Sequence, residues 1–461
     1  MVTKANRFFA SQAWVQGAWA KDVLLEVDAS GIWSRITCNA TADMILDALP
    51  LGGPVLPGVV NAHSHAFQRA IAGLTEHGAA NGQDNFWSWR ERMYAVAQRI
   101  TPEQLEAIAT LLYTELLAGS YTQVCEFHYL HNASSYAPKA SALDMSMALV
   151  RAAQRSGIGL TLLPTLYMRS GFSADGLRSD QQRFASTPDS IARLVQDLQA
   201  ATRGMAHVNL GVALHSLRAV TPQALRELTG FADAQQLPIH THIAEQPQEV
   251  QDCIAQTGQR PIAWLLAHAS LHERWNLVHA THATQAELDG VRASGASIVI
   301  CPTTEANLGD GVFDYLGYCA QGGSWSVGSD SHVSRAWSEE LRLLEYSQRL
   351  TRGQRNVAAQ GGASTSSAAN MLQALLSSAQ AATALPLGGL QVGQRADCVV
   401  LDAASPALCG VPGAHLLDAQ VFSSPGAAPR AVYVAGCMVE HVPDSAAIHR
   451  FSGTLQDGLR A

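Results

Sequence analysis

The sequence predicts an α/β fold: a TIM-like (β/α)8 barrel joined to a small β-sandwich domain built from the N- and C-terminal segments. Three observations carry this expectation. Short apolar runs alternate with long helical stretches through residues 57–384, as in a barrel whose functional groups collect at the carboxyl ends of its strands. Shorter β-rich runs fill residues 1–56 and return in 385–461, so the two ends can pair. A chain of 461 residues with 47% hydrophobic content has enough apolar side chains for cores of this size.

Taken in order, the first segment contains "FFASQAWV" and "DVLLEVDASGIWSRI", alternating or β-rich runs punctuated by Gly and Asp. The barrel strands are then "VLPGVVNAH", "YTQVCEFHY", "GIGLTLLPTL", "NLGVALH", "PIHTHIAE", "NLVHATH", "SIVICPT" and "SWSVGSD". A helical region runs on to about residue 384 and holds the flexible-looking "AQGGASTSSAA"; β character returns in "RADCVVLDA" and "PRAVYVAGCMVE". A doubly wound sheet is the alternative this alternation leaves open.

The strand ends carry the chemistry. His63 and His65 stand one residue apart after the first strand, so an extended backbone turns both the same way. His242 lies in the fifth strand, His279 at the sixth, and Asp330 after the eighth. Taken singly, each has an ordinary reading: a strand histidine as a hydrogen-bonded core residue, or Asp330 in "GSDSH" as an Asx turn. Three of these four imidazoles with the carboxylate are a plausible shell for Zn²⁺ with water in the remaining position.

Bulk properties narrow the partners. A formal charge of −8 provides no basic footprint for nucleic acid. Of thirty basic residues only Lys4, Lys21 and Lys139 are lysines; the rest are arginines, suited to forked recognition of carboxylates. The eight cysteines are scattered without a Cys-x-x-Cys pair and read as buried thiols in a reducing compartment. No run approaches the roughly 18 apolar residues of a membrane span, and the first residues lack a signal-peptide pattern. A soluble cytoplasmic protein without membrane partners is expected.

At these strand ends the sequence resembles the amidohydrolase superfamily across nearly its whole length. The matching elements are "PGVVNAHSH", "HTHIAE", "LVHATH", "GSDSH" and the tail "LQVGQRADCVVLD". Within it the chain is similar to the formimidoylglutamate deiminases, through "NAHSHAFQRAIAGLTE", "FWSWRERMY", "EFHYLH", "HSLRAV", "HIAEQPQEVQDC" and "CPTTEANLGDG". The resemblance implies one Zn²⁺ per chain on His63, His65, His242 and Asp330. No lysine follows Lys139 to bridge a second metal from strand four.

It further implies acid–base roles for Glu245, His279 and Asp330, and binding of a small dianionic substrate by Gln68, Arg90, Tyr129, His215 and Arg218. The implied reaction is hydrolysis of N-formimino-L-glutamate to N-formyl-L-glutamate and ammonia, in histidine degradation, by a homodimer. Asn132 and Leu214 depart from the family pattern, at positions that usually hold His and Pro. Other readings stay open: a deaminase of a purine or related ring, or a noncatalytic barrel scaffold. Arg90 can instead pack its stem on Trp87 or Trp89, and Glu245 can be an exposed helix-start charge.

Overall fold

The computed structural model describes residues 6–78, 84–134, 136–423 and 426–459. Strands β1 (Arg7–Val15), β2 (Ala18–Val27) and β3 (Trp33–Thr37) are successive antiparallel neighbours. The short β4 (Leu49–Pro50) and β5 (Val55–Pro57) lie parallel to β1.

The barrel follows as β6 (Val59–Ser64), β7 (Tyr121–His128), β8 (Gly159–Leu166), the short β9 (Val208–Leu210), β10 (Val212–Ser216), β11 (Ile239–Ile243), β12 (Trp275–His279), β13 (Ser297–Ile300) and β14 (Ser324–Val327). All eight expected barrel strands stand in their apolar runs. Nearly every residue of these strands is buried, which is why they read as unbroken apolar stretches. Apart from β9, which pairs beside β8, their spatial order is the chain order, β6 to β14, and consecutive neighbours are parallel. A doubly wound sheet would reverse that order at its switch point, so this alternative is excluded.

Closure joins β14 to β6 through a parallel bridge between Ser64 and Asp330. Asp330 N–H donates to the His63 carbonyl at 3.0 Å, and His65 N–H donates to the Asp330 carbonyl at 3.2 Å. Gly328 permits the approach: a Cβ there would meet the His63 Cβ at 2.5 Å and its backbone N at 2.9 Å. The ring therefore closes at the proposed ligands.

Several barrel helices begin with the same dipeptide. In Thr101-Pro102, Thr187-Pro188 and Thr221-Pro222 the threonine hydroxyl accepts a backbone N–H from the first turn, while proline occupies the first helical position. The "AQGGASTSSAA" stretch is tied down by Asn370, whose amide donates to the Ala358 and Ser364 carbonyls, and Ser366 caps the helix Ser367–Thr383.

Strand β15 (Cys398–Leu401) pairs antiparallel with β5 and with β16 (Pro429–Val434), which pairs with β17 (Cys437–Val439). Both ends of the chain thus share one sheet. Along it β1 and β16 are three strands apart, about 14 Å at normal spacing. Yet the Phe8 and Tyr433 rings have centroids 5.3 Å apart, so the sheet curls over a core of its own. Two helices, Leu416–Phe422 and Ser445–Leu459, interrupt this β-rich tail. Phe451 of the second lies 4.9 Å from the guanidinium of Arg69, a barrel residue. No helix of the described residues is long and apolar enough to cross a membrane.

Candidate metal centre and active site

The pleat of β6 sends His63 and His65 one way and Ser64 the other. Ser64 Oγ donates to Glu126 Oε2 at 2.7 Å and lies 3.3 Å from His332 Nε2. Glu126 also accepts the Ala66 N–H at 2.6 Å and the Tyr113 hydroxyl at 3.2 Å. Burial raises its carboxyl to about 7 against these three hydrogen bonds. Glu126 thus fastens the turn that carries both histidines.

The hydrogen bonds of two rings decide their tautomers. His65 Nδ1 is 2.9 Å from the Phe127 carbonyl and His242 Nδ1 is 2.8 Å from the His215 carbonyl. Carbonyls only accept, so both Nδ1 atoms carry hydrogen and both Nε2 atoms present lone pairs. Burial, the leading cause, holds His63, His65 and His242 below the usual imidazole range and hence neutral. His242 Nε2 nevertheless lies 3.0 Å from His63 Nε2 and 3.3 Å from His65 Nε2. Asp330 Oδ1 is 3.5 Å from each of the His63 and His65 Nε2 atoms.

The facing lone pairs of His65 and His242, 3.3 Å apart, repel unless a cation sits between them. Four ligands bound at about 2.0–2.1 Å in a tetrahedron stand about 3.3 Å apart. The His242–His63, His242–His65, His63–Asp330 and His65–Asp330 separations of 3.0–3.5 Å are close to that spacing, and His63 with His65 and Asp330, and His63 with His242 and His279, form groups compact enough to hold a metal ion.

His279 and Glu245 flank this centre. His279 Nε2 lies 3.9 Å from Asp330 Oδ2 and 3.8 Å from Glu245 Oε1, while its Nδ1 is 3.3 Å from Glu305 Oε1. Burial alone would depress this imidazole, but Glu245, Glu305 and Asp330 outweigh it and raise it to about 10. Both His279 and Asp330 adopt positive φ, 71° and 47°, a strain held at the strand ends where the site is built.

Glu245 is buried at 6% exposure, so it is not the exposed helix-start charge that its position before Pro247–Thr257 allowed. That service falls to Glu249, which accepts the N–H groups of Ala244 and Glu245, each at 3.1 Å. Burial raises Glu245 to about 7, with His279 and Arg218 opposing the rise. Nearby Asp310 accepts a hydrogen bond from Gln246 and is raised to about 9, chiefly by burial and then by Glu245.

One cavity over the centre is lined by every substrate residue the sequence suggested: Gln68, Arg90, Tyr129, His215 and Arg218. His65, His242, Glu245, His279 and Asp330 line it too. Gln68 Nε2 donates to the Tyr129 hydroxyl at 3.3 Å. Strand register slips between Leu214 and Ser216, which places His215 at an irregularity of β10 with its carbonyl free to hold His242. The departure at Leu214 thus sits in the fully buried strand leading to this point. The other, Asn132, is structural: its amide donates to the Gln182 and Ala185 carbonyls.

Sequence reasoning missed the apolar wall of this cavity. Phe86, Trp89, Arg90, Met93 and Tyr94 all line it. They stand at i, i+3, i+4, i+7 and i+8 of the helix Phe86–Ala97, so helical periodicity applied to "FWSWRERMY" would have revealed the face. Glu305 and Glu249 were also missed, although both lie in motifs that were noted. Each stands in the first turn of a helix, Pro247–Thr257 for Glu249 and Pro302–Leu308 for Glu305, and it is the packing of the latter helix against β12 that brings Glu305 to His279.

The model of the Amidohydrolase family matches residues 55–439, which is most of the chain. The chain belongs to the amidohydrolase family. This amidohydrolase is 44% identical over 431 residues to the formimidoylglutamate deiminase of Pseudomonas aeruginosa, covering 94% of each chain. A crystal structure of an amidohydrolase from Brucella melitensis superposes with a TM-score of 0.90 at 39% identity, covering 98% of this chain and 100% of that one. An adenosine deaminase from Xanthomonas campestris, solved with bound zinc, shares the fold with a TM-score of 0.80 at 20% identity, covering 99% of this chain and 98% of that one.

The contact between Glu305 and His279 can be tested directly. Outer carboxylates of this kind orient a histidine, and their loss typically costs about 10–100-fold. Glu305→Ala in this amidohydrolase is expected to lower kcat by about that factor while metal content stays unchanged. Loss of metal, or unchanged kcat, in a folded variant would show that Glu305 does not act through His279.

Proposed function

We propose that this amidohydrolase hydrolyses N-formimino-L-glutamate to N-formyl-L-glutamate and ammonia, with one zinc ion held by His63, His65, His242 and Asp330. The observation that carries the reading is a pair of arginines opening on the same cavity as the donor cluster. Arg218 Nε and Nη1 and Arg90 Nε are buried without a hydrogen-bond partner. Buried guanidinium donors without acceptors are costly, and a substrate with two carboxylates relieves both. The relative at 44% identity supports the same reaction.

When bound, zinc supplies Lewis acidity that makes water nucleophilic near neutral pH. The chain's own groups do the rest. The amidine of the substrate is strongly basic and enters as a cation, which the buried Glu245 carboxylate attracts. Asp330 takes the proton released as water adds to the formimino carbon. Glu245 carries that proton to the departing nitrogen, the carbon–nitrogen bond breaks, and the added hydroxyl gives its remaining proton to Asp330, so the cationic amidine and water leave as the formyl product, ammonia and one proton. His279, with Nδ1 held by Glu305, keeps Nε2 facing Asp330 and Glu245, where it polarises the forming oxygen.

The apolar wall of Phe86, Trp89, Met93 and Leu308 would suit a flat ring, which keeps a purine deaminase in view. A neutral aromatic base offers ring-nitrogen and carbonyl acceptors but no negative charge to match two guanidiniums. Ammonia release from N-formimino-L-glutamate, compared with release from guanine and adenosine, tests the choice. A noncatalytic scaffold has no use for the donor cluster and Glu245 together, and inactivity toward all three substrates in zinc-loaded protein would favour it.

Arg218→Ala is expected to reduce kcat/KM for the dicarboxylate by about 10–10²-fold, the loss of one charge-assisted pair. Arg218→Lys keeps the charge but not the planar fork and should recover only part of it. An unchanged kcat/KM in folded Arg218→Ala would remove this role. In this reading residues 57–384 are the catalytic unit and 1–56 with 385–461 a supporting one. The assembly would be a cytoplasmic homodimer, and light scattering decides its mass.

A further inference from the structure

Two guanidinium groups meet one indole. The Arg90 guanidinium carbon lies 4.4 Å from the Trp87 ring centroid and that of Arg218 lies 5.6 Å from it. The two like charges are therefore at most 10.0 Å apart, the sum of those distances. They come from separate elements, Arg90 from the helix Phe86–Ala97 and Arg218 from just beyond β10. Arg90 is held below its usual range by burial and, among the charges near it, by Arg218. Carboxylates of Glu249 and Glu245 stand near Arg218 and the Tyr94 ring lies 5.5 Å from the Arg90 guanidinium carbon, but Trp87 is the ring that both guanidiniums share.

Trp87 is itself held in place. Its N–H is capped by Asn85 Oδ1 at 2.9 Å, in a capping box that starts the helix, and Phe86 braces its ring edge-on with centroids 5.0 Å apart. Trp87 is not among the residues lining the cavity, whereas both arginines are. The face of an indole carries negative potential that attracts guanidinium groups.

We infer that Trp87 is a positioning residue for substrate selectivity: one indole holds Arg90 and Arg218 as a pair, and the pair selects compounds with two carboxylates over those with one. The inference rests on the proposed reaction for the identity of its substrate, while binding of an unreactive dicarboxylate tests it without that reaction.

Calorimetric titration of the metal-loaded protein with glutarate, an unreactive five-carbon dicarboxylate, reads the pair without turnover. Trp87→Leu is expected to weaken glutarate binding about 10-fold and Trp87→Phe, which keeps a smaller ring face, about 3-fold. Butyrate, with one carboxylate, should change by no more than about 2-fold, and the KM for N-formimino-L-glutamate should rise with little change in kcat.

Unchanged glutarate affinity in either folded variant overturns the inference. Equal losses for glutarate and butyrate overturn it too, since they assign Trp87 to the fold alone. If Trp87→Leu fails to fold, the phenylalanine variant decides by the same ratio. A wild-type protein that binds glutarate in a Trp87-dependent way, yet leaves N-formimino-L-glutamate intact, upholds the inference and sinks the proposed reaction instead.

Discussion

His242→Ala is expected to lose the metal and, with it, on the order of 10³-fold or more in kcat/KM, the several kcal/mol that a Lewis acid contributes. The reason lies in the ring contacts. His242 Nε2 lies 3.0 Å from His63 Nε2 and 3.3 Å from His65 Nε2, so its removal opens the donor set. The intact protein, dialysed exhaustively, should carry about one metal per chain for this ligand set. Stripping it with a chelator should abolish turnover and lower the melting temperature, because the Nε2 lone pairs of His65 and His242 are left facing one another at 3.3 Å. Added zinc should restore both, as a ligand that binds only the folded state must. Full activity in a preparation with no measurable metal would end the metal assignment, and a reproducible requirement for two ions would end the mononuclear one.

Glu245→Gln should keep zinc and substrate binding but lower kcat by roughly 10²–10⁴-fold, since the amide preserves shape and cannot carry the proton. Wild-type kcat/KM should fall as pH drops through the Glu245 pKa, at or below about 7, because the relay must begin as a carboxylate. The glutamine variant should lack that limb.

Stability provides an independent sign. The Glu245 carboxyl is raised from 4.5 to about 7 in the metal-free fold, so between those values the native state binds the proton and the unfolded chain does not. Wild-type stability relative to the variant should therefore decline as pH rises through this window, with the penalty complete above about 7. Thermal melts of metal-stripped protein at pH 5 and 8 would reveal it. A zinc-loaded Glu245→Gln enzyme with near wild-type kcat would take Glu245 out of the reaction and leave His279 and Asp330 to move the proton.

The barrel strands were legible because their composition is local: a strand buried on both faces must be apolar throughout, and helices between such strands leave their own period. The ligands were legible for a related reason. A pleated strand end fixes the direction of His63 and His65 whatever the rest of the chain does. The two helices within residues 385–461 escaped notice because the β-rich runs around them dominated the reading, although Ala447, Phe451 and Leu455 repeat every four residues.

What the sequence by itself determined is the set of groups: three imidazoles, the carboxylates and the arginines, each assigned to a strand end or a helix. Their states were decided by the tertiary structure. Asp330 reaches His63 only because the ring closes across Gly328, and Asn61 hydrogen-bonds Ser329 across 268 residues of chain. The Nε2 lone pairs face one another because carbonyls of Phe127 and His215, on other strands, hold the opposite nitrogens. Glu245 titrates near neutrality because neighbours from several elements exclude water from it. Hydrogen-bond partners and desolvation are properties of what surrounds a group, and no pattern along the chain encodes which distant residues will surround it.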